Sequence, residues 1–230
     1  TAGRQSRVRE GAVHMAMAVE EAIRTRRSIR RYQDRDVPTE LLMRAIGIAC
    51  WAPNGGNFQP WKFYVVKNRE LIGRMADAVQ AKVDLMATWP EAAEFGDTFQ
   101  RYRRNAAFFR SAPAVIAVAM GAYQSAADKV LRRRGESDPA ALEMIRNRAE
   151  VASRTQTIAG ATAYLLLALH DLGLGACWMA GPMLAKGEIE RMLDVPSNLD
   201  LFALVPVGYA AEEPTPGPRR PLQEVTEVLE

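Results

Sequence analysis

The chain's 230 residues suffice to bury one substantial core, and 48% hydrophobic against 25% charged residues excludes a disordered or fibrous protein. A net charge of only +3 is too mild for a nucleic-acid surface. Cys50 and Cys177 lie far apart with no CxxC pair, so no disulfide framework or thiolate metal site is indicated and a reducing, cytoplasmic setting is expected. His14 and His170, the only histidines, are too few for a histidine-based metal site.

The opening TAGRQSRVREG is polar and basic with no apolar run behind it, so residues 1–13 are expected to be a flexible arm rather than a secretory leader. Met15, Val19, Ala22 and Ile23 recur at helical spacing and predict a helix over 15–24, ahead of RRSIRRY. Pro38-Thr39-Glu40 opens a second helix, Leu41 to Cys50, where proline's missing N–H costs little, and Trp51-Ala52-Pro53 ends it. After the loop APNGGN, the β-branched and aromatic run WKFYVV predicts a strand, and a helix follows from about Arg69 to Ala87.

Residues 88–110 are an aromatic-rich insertion of short helices, carrying Trp89, Phe95, Phe99, Tyr102, Phe108 and Phe109 among arginines. APAVIAVAM, Ala112 to Met120, predicts a buried strand, and a second helical insertion fills about 123–154, with the block Arg132-Arg133-Arg134. Thr157 to Leu172 is apolar almost all round, which places it in a core or a subunit interface; at about 16 residues it is short for a membrane span. Gly173 suits a helix C-cap, Ala176–Ala180 a strand, Lys186–Leu193 a short helix and Leu201–Tyr209 a last strand. With no tandem βαβ unit and no internal repeat, the order of elements predicts an α+β class.

Four segments can carry chemistry. If RRSIRRY is extended, Arg26, Ser28 and Arg30 face one side, because strand side chains alternate, and two guanidinium forks with a hydroxyl can cradle a phosphate. An isolated basic run of this kind is more often a solvated face. In APNGGNFQPW the glycines allow close backbone approach, and Asn57 and Gln59 offer paired donors and acceptors. In CWMAGP a strand enters a turn whose N–H groups can face a ring, and Pro218-Arg219-Arg220-Pro221 is a second basic pair held extended. Gly173-Leu174-Gly175 follows a helix and fits a C-cap better than a nucleotide loop. His170 on its apolar helix and both cysteines fit core packing better than catalysis.

Taken together, RRSIRRY, APNGGNFQPWKF, ALHDLGLGACWMAGP and PVGYAAEEPTPGPRRPLQEV resemble the flavin-binding landmarks of the nitroreductase family, in that family's order, from about Glu20 to Val225. The resemblance implies one such domain over 14–230: a central, mostly antiparallel sheet wrapped by helices, in an intimate homodimer with an FMN at each of two interface sites. By motif position, Arg26, Ser28 and Arg30, with Arg27 beside them and Arg219 or Arg220 from the C-terminal segment, would hold the phosphate and ribityl chain. Pro53, Asn54, Gly55 and Asn57 would contact the flavin from either subunit, and Met179, Ala180 and Gly181 would line its ring near N5. Asn54-Gly55 stands where Ser-Ser or Ser-Gly is commoner.

The implied activity is transfer of electrons from NAD(P)H, by a ping-pong hydride mechanism, to a small planar acceptor such as a nitroaromatic, quinone or activated alkene. The flavin would carry the chemistry, so no side chain is singled out as catalytic. Phe95, Phe99, Tyr102 and Phe108 are candidates for a lid over the acceptor or for core packing. Three alternatives stand beside this. A dehalogenating branch uses lid Glu, Tyr and Lys, whereas this insertion has Glu91, Glu94 and Tyr102 but no lysine between Val83 and Arg110. The other two are a flavin-fragmenting branch and a non-catalytic flavin-binding protein. No nucleic-acid or membrane partner is expected.

Overall fold

The computed structural model describes residues 16–229, so the expected arm and His14 lie outside it. Its organising element is β2 (Ala114–Gly121), an apolar strand buried at every position but the last. A strand without a polar face needs cover on both sides. It pairs antiparallel with β1 (Trp61–Val66) and with β4 (Leu199–Gly208), and the short β3 (Gly175–Ala176) closes the order β1-β2-β4-β3.

Alternation along β2 sends its residues into two cores. Ala114, Ile116, Val118 and Met120 pack against α2 (Thr39–Ala49) through Leu42, Ala45 and Ile46, and against α8 (Ser153–Asp171) through Ile158, Leu165 and Leu169. Val115, Ala117 and Ala119 face α3 (Arg69–Met86) through Ile72, Met75 and Val79, together with Phe109 and with Ile189 of α9 (Lys186–Met192). The first helix, α1 (Val19–Thr25), lies against α8 ahead of the arginine segment.

The stretches 88–110 and 123–154 both contain helices. The first holds α4 (Pro90–Glu94) and α5 (Gly96–Asn105). The second is a hairpin of α6 (Ala126–Arg134) and α7 (Pro139–Val151). Ser125 and Asp128 cap α6 reciprocally, and Asp138 with Pro139 opens α7. α8 starts four residues before the expected Thr157, directly after Ala152, whose φ of 48° breaks the run from α7.

The strand expected over Ala176–Ala180 is cut short for an identifiable reason. Cys177 N–H donates to Pro206 O at 3.3 Å, but Pro206 has no N–H to return, so the ladder lapses there. It resumes only at Met179, which exchanges bonds of 2.9 and 3.0 Å with Leu204.

At the end of β4, Gly208 leaves no room for a side chain: a Cβ there would lie 2.7 Å from Pro113 Cδ and 2.8 Å from Tyr32 Cδ1. Gly208→Ala should therefore destabilise the protein by about 1–3 kcal/mol, measured as a lower urea midpoint at unchanged slope. A midpoint equal to wild type would show that the contact yields without cost.

Candidate functional site

The arginine segment is extended, the condition under which Arg26, Ser28 and Arg30 share a side. Ile29 N–H donates to Ala176 O at 3.0 Å, and the Ile29 side chain is buried against Gly175, where a Cβ would come within 2.8 Å of Ile29 Cγ1. Arg26, Ser28 and Arg30 alternate with that buried residue. Arg26 Nη1 is buried and has no hydrogen-bond partner among the described residues. Arg27 separates from the set, because its Nη1 donates to Arg24 O and Arg26 O at 2.7 and 2.9 Å and closes the C-terminus of α1.

The segment is held from both sides. Glu212 Oε1 accepts the N–H groups of Arg30 and Arg31 at 2.5 and 3.0 Å, and Oε2 accepts Arg31 Nε at 3.0 Å. Burial opposes the Glu212 charge, but bonds from the Arg30 backbone and from the side chain and backbone of Arg31 outweigh it and hold the carboxyl below its ordinary value. Tyr32 Oη donates to Ile29 O at 2.6 Å, and burial, with Cys177 and Glu212 nearby, pushes the phenol far up, so it stays protonated. Burial likewise raises the Cys177 thiol against the pull of Arg30, Ser28 and Arg26, which suits packing rather than nucleophilic attack.

His170 Nε2 lies 2.8 Å from Thr25 Oγ1, whose own proton goes to Glu21 O. The imidazole therefore supplies the proton of that contact. Burial first, then Arg26 and Arg27, lower its pKa, so it packs beside the arginines as a neutral ring.

The C-terminal segment supplies one further cation. Arg219 lines a cavity of about 1060 Å³ with Arg26, Arg27, Trp178, Ile23 and Leu167, and among the described residues its Nη1 donates to the carbonyls of Gly217 and Pro218, both at 3.2 Å. Arg220 turns away to Glu224, donating to its backbone O at 2.9 Å.

The other expected residues form separate groups within the chain. In the glycine loop, Asn54 folds the turn itself: Nδ2 donates to Ala52 O and Oδ1 accepts Gln59 N–H at 2.9 Å. Gly56 and Asn57 have φ of 61° and 52°, which glycine and asparagine tolerate best. The loop rests on Tyr123, whose ring packs at a 43° tilt against Phe58 with centroids 5.1 Å apart, while Pro53 and Asn57 stand exposed. Met179 packs into the second core, and Ala180 and Gly181 stand exposed beside α5, where a Cβ on Gly181 would lie 3.5 Å from Tyr102 Oη. The expected lid set divides: Phe99 and Phe108 pack into the core, whereas Phe95 and Tyr102 are exposed. Sequence reasoning missed Glu212 and Tyr123; the partners of Glu212 are mostly backbone N–H groups, which leave no sequence signal.

The nitroreductase family model matches residues 23–209. The chain belongs to the nitroreductase family. Members of this family are oxidoreductases. A relative from Methanothermobacter thermautotrophicus, provisionally named an NADH dehydrogenase/NAD(P)H nitroreductase, is 32% identical over 86% of this chain and 80% of its own length. An iodotyrosine deiodinase of Thermotoga neapolitana is 27% identical over 87% of this chain and 91% of its own. The solved structure of a BluB-like flavoprotein from Clostridium difficile superposes with a TM-score of 0.81 at 24% identity, covering 93% of this chain and 100% of that one, a likeness of fold.

Within this nitroreductase-family chain, Glu212→Ala should cost about 1–3 kcal/mol, since it removes the charged acceptor that the Arg30 and Arg31 N–H groups share. Because the folded-state pKa of Glu212 lies below its ordinary 4.5, its contribution is full above that pH and is lost as pH falls through the folded value. Urea titrations of wild type and variant should therefore differ at pH 7 and converge in acid; curves that coincide at pH 7 would remove Glu212 from the framework.

Proposed function

We propose that this chain is an FMN-dependent oxidoreductase that takes electrons from NAD(P)H and delivers them to a small planar acceptor such as a nitroaromatic, quinone or activated alkene. The observation that carries the reading is half-buried Arg26, whose buried Nη1 lacks a partner among the described residues and which lines the same cavity as Arg219. A buried cationic donor left unpaired is costly, and a phosphate monoester is the anion that two guanidinium forks satisfy best. The residues present thus fit the phosphate of FMN, with Ser28 and Arg30 completing the cradle.

Bound there, FMN would supply a carrier that accepts and returns two electrons. The chain's own residues bind and orient it: Arg26, Ser28, Arg30 and Arg219 at the phosphate, with Met179, Ala180 and Gly181 along the ring edge. Pro53, Asn54, Gly55 and Asn57 contribute from either subunit of a homodimer. Arg27 and Arg220 serve their local backbone instead. Phe95 and Tyr102, exposed on the first insertion, cover a flat acceptor and keep water from it. Donor and acceptor use the same open face in turn.

Dimerisation is supported by apolar surface that a lone chain leaves in water. α8 turns Ala163 and Tyr164 outward, with Gly160 and Leu167 half-buried beside them, and Trp51 is 83% and Leu222 70% exposed. The relatives named as deiodinases favour dehalogenation as a second reading, against which stands the first insertion's lack of lysine between Val83 and Arg110. No helix among the described residues is long and apolar enough to cross a membrane. The two free cysteines suit a cytoplasmic setting.

The test is an absorbance spectrum followed by anaerobic addition of NADH and NADPH in separate cuvettes. Flavin bands that bleach with one donor and return with a nitroaromatic or quinone establish the reductase; a colourless protein that cannot be reconstituted with FMN overturns the reading. Arg26→Gln and Arg219→Gln should each weaken FMN by about tenfold to a hundredfold in a fluorescence titration, whereas Arg220→Gln should change little. Equal losses in the Arg219 and Arg220 variants would show the wrong arginine has been assigned.

A further inference from the structure

The α6–α7 hairpin encloses a second cavity, of about 620 Å³, that the proposed flavin site does not use. Leu131, Leu142 and Ile145 give it an apolar floor, and Arg132, Arg148 and Arg154 reach its lining. Their charges are unequally spent. Arg148 donates to Asp128 at 2.6 Å, and that bond, with those from Ser125, holds the Asp128 carboxyl well below the usual carboxylate range. Arg154 meets Asp200 through Nη2, and its Nε is buried without a partner among the described residues. Arg132 meets the Gln124 amide, turned so that its oxygen faces the guanidinium, and no carboxylate among the described residues. Glu136, the other carboxylate of the lining, is exposed and bonds to none of the three.

We propose that this cavity takes the phosphate-bearing half of the nucleotide electron donor, with Arg132 and Arg154 on the phosphate oxygens and the apolar floor under the base. Placement supports this. Tyr123 lines the cavity, and the same ring lies against the loop assigned to the flavin, 3.1 Å from where a Cβ on Gly55 would stand. The two sites therefore share one wall, and a dinucleotide can lay its nicotinamide on the loop side with its phosphates among the arginines. The first turn of α8, Ser153 and Arg154, enters the same lining with no side-chain cap among the described residues, so the helix N-terminus adds to the pull on an anion. The cavity's assignment rests on the NAD(P)H-dependent reading above.

The experiment titrates ADP into the purified, flavin-loaded protein by calorimetry, then measures steady-state kinetics with each dinucleotide. Arg132→Ala carries the decision, because that exposed side chain bonds to the Gln124 amide and to no carboxylate among the described residues; Arg154→Ala also breaks the pair with Asp200 and serves as the second variant. Each variant should weaken ADP and raise the donor KM by about tenfold, while kcat, acceptor KM and flavin content stay at wild-type values. Absence of ADP binding by wild type at millimolar concentration, or an unchanged donor KM in R132A with a reducible flavin, would overturn the cavity assignment alone. A flavin that neither dinucleotide reduces, in a protein whose ADP binding R132A abolishes, would overturn the donor assignment together with the reductase reading.

Discussion

The structure depends on β2 having no polar face. Because Ala114 to Met120 are buried on both sides of the sheet, helices must cover each face, and the chain supplies α2 and α8 to one and α3 and α9 to the other. This leaves the sheet's β3 edge as the place where further backbone can be laid down. The arginine segment is laid there, tied at Ser28 and Ile29 to Ala176. Its position is fixed by steric economy as much as by hydrogen bonds, since Gly175 and Gly208 each admit a neighbour where a methyl group would collide.

A segment with so many like charges on one edge needs a counter-anion to hold its backbone still. Glu212 fills that role from the C-terminal side, and in doing so it brings the following residues, Pro216 to Arg219, over the cavity beside Arg26. One carboxylate thus does two things: it neutralises the outward half of the basic run and sets the path that delivers another guanidinium to the inward half. Tyr32, kept protonated by burial, adds a donor that braces Ile29 and β4 together.

How much of this was legible follows from what kind of constraint each feature obeys. The split of Arg26, Ser28 and Arg30 from Ile29 was readable because alternation is geometric and needs no knowledge of neighbours. β1 was readable to the residue because its run of β-branched and aromatic side chains favours a strand by local propensity. The choice between Arg219 and Arg220 was not, because it turns on Glu224 lying one helical turn beyond Arg220 in a stretch whose conformation the prolines alone do not settle. The length of β3 was hidden because the residue that ends it, Pro206, is in another strand, and register cannot be seen in one segment. The start of α8 was hidden because Ala152, with neither glycine nor proline to mark it, takes the left-handed conformation.

The groups that stay apart within one chain carry the last step. The arginine cradle lies at the β3 edge, whereas the glycine loop follows α2 and is seated on Tyr123 at the start of the second insertion. A flavin is too large to be enclosed by the cradle alone, and the wall beside the cradle is made of Ile23, Leu167 and Trp178, apolar groups that line an open cavity. α8 continues that apolar surface outward through Ala163 and Tyr164. In the proposed homodimer, a second copy of the chain set against α8 would cover this surface and supply a loop to face the cradle. On that proposal the burial that α8 lacks and the ring contacts that the cradle lacks would be met by one association, which would tie cofactor binding to assembly.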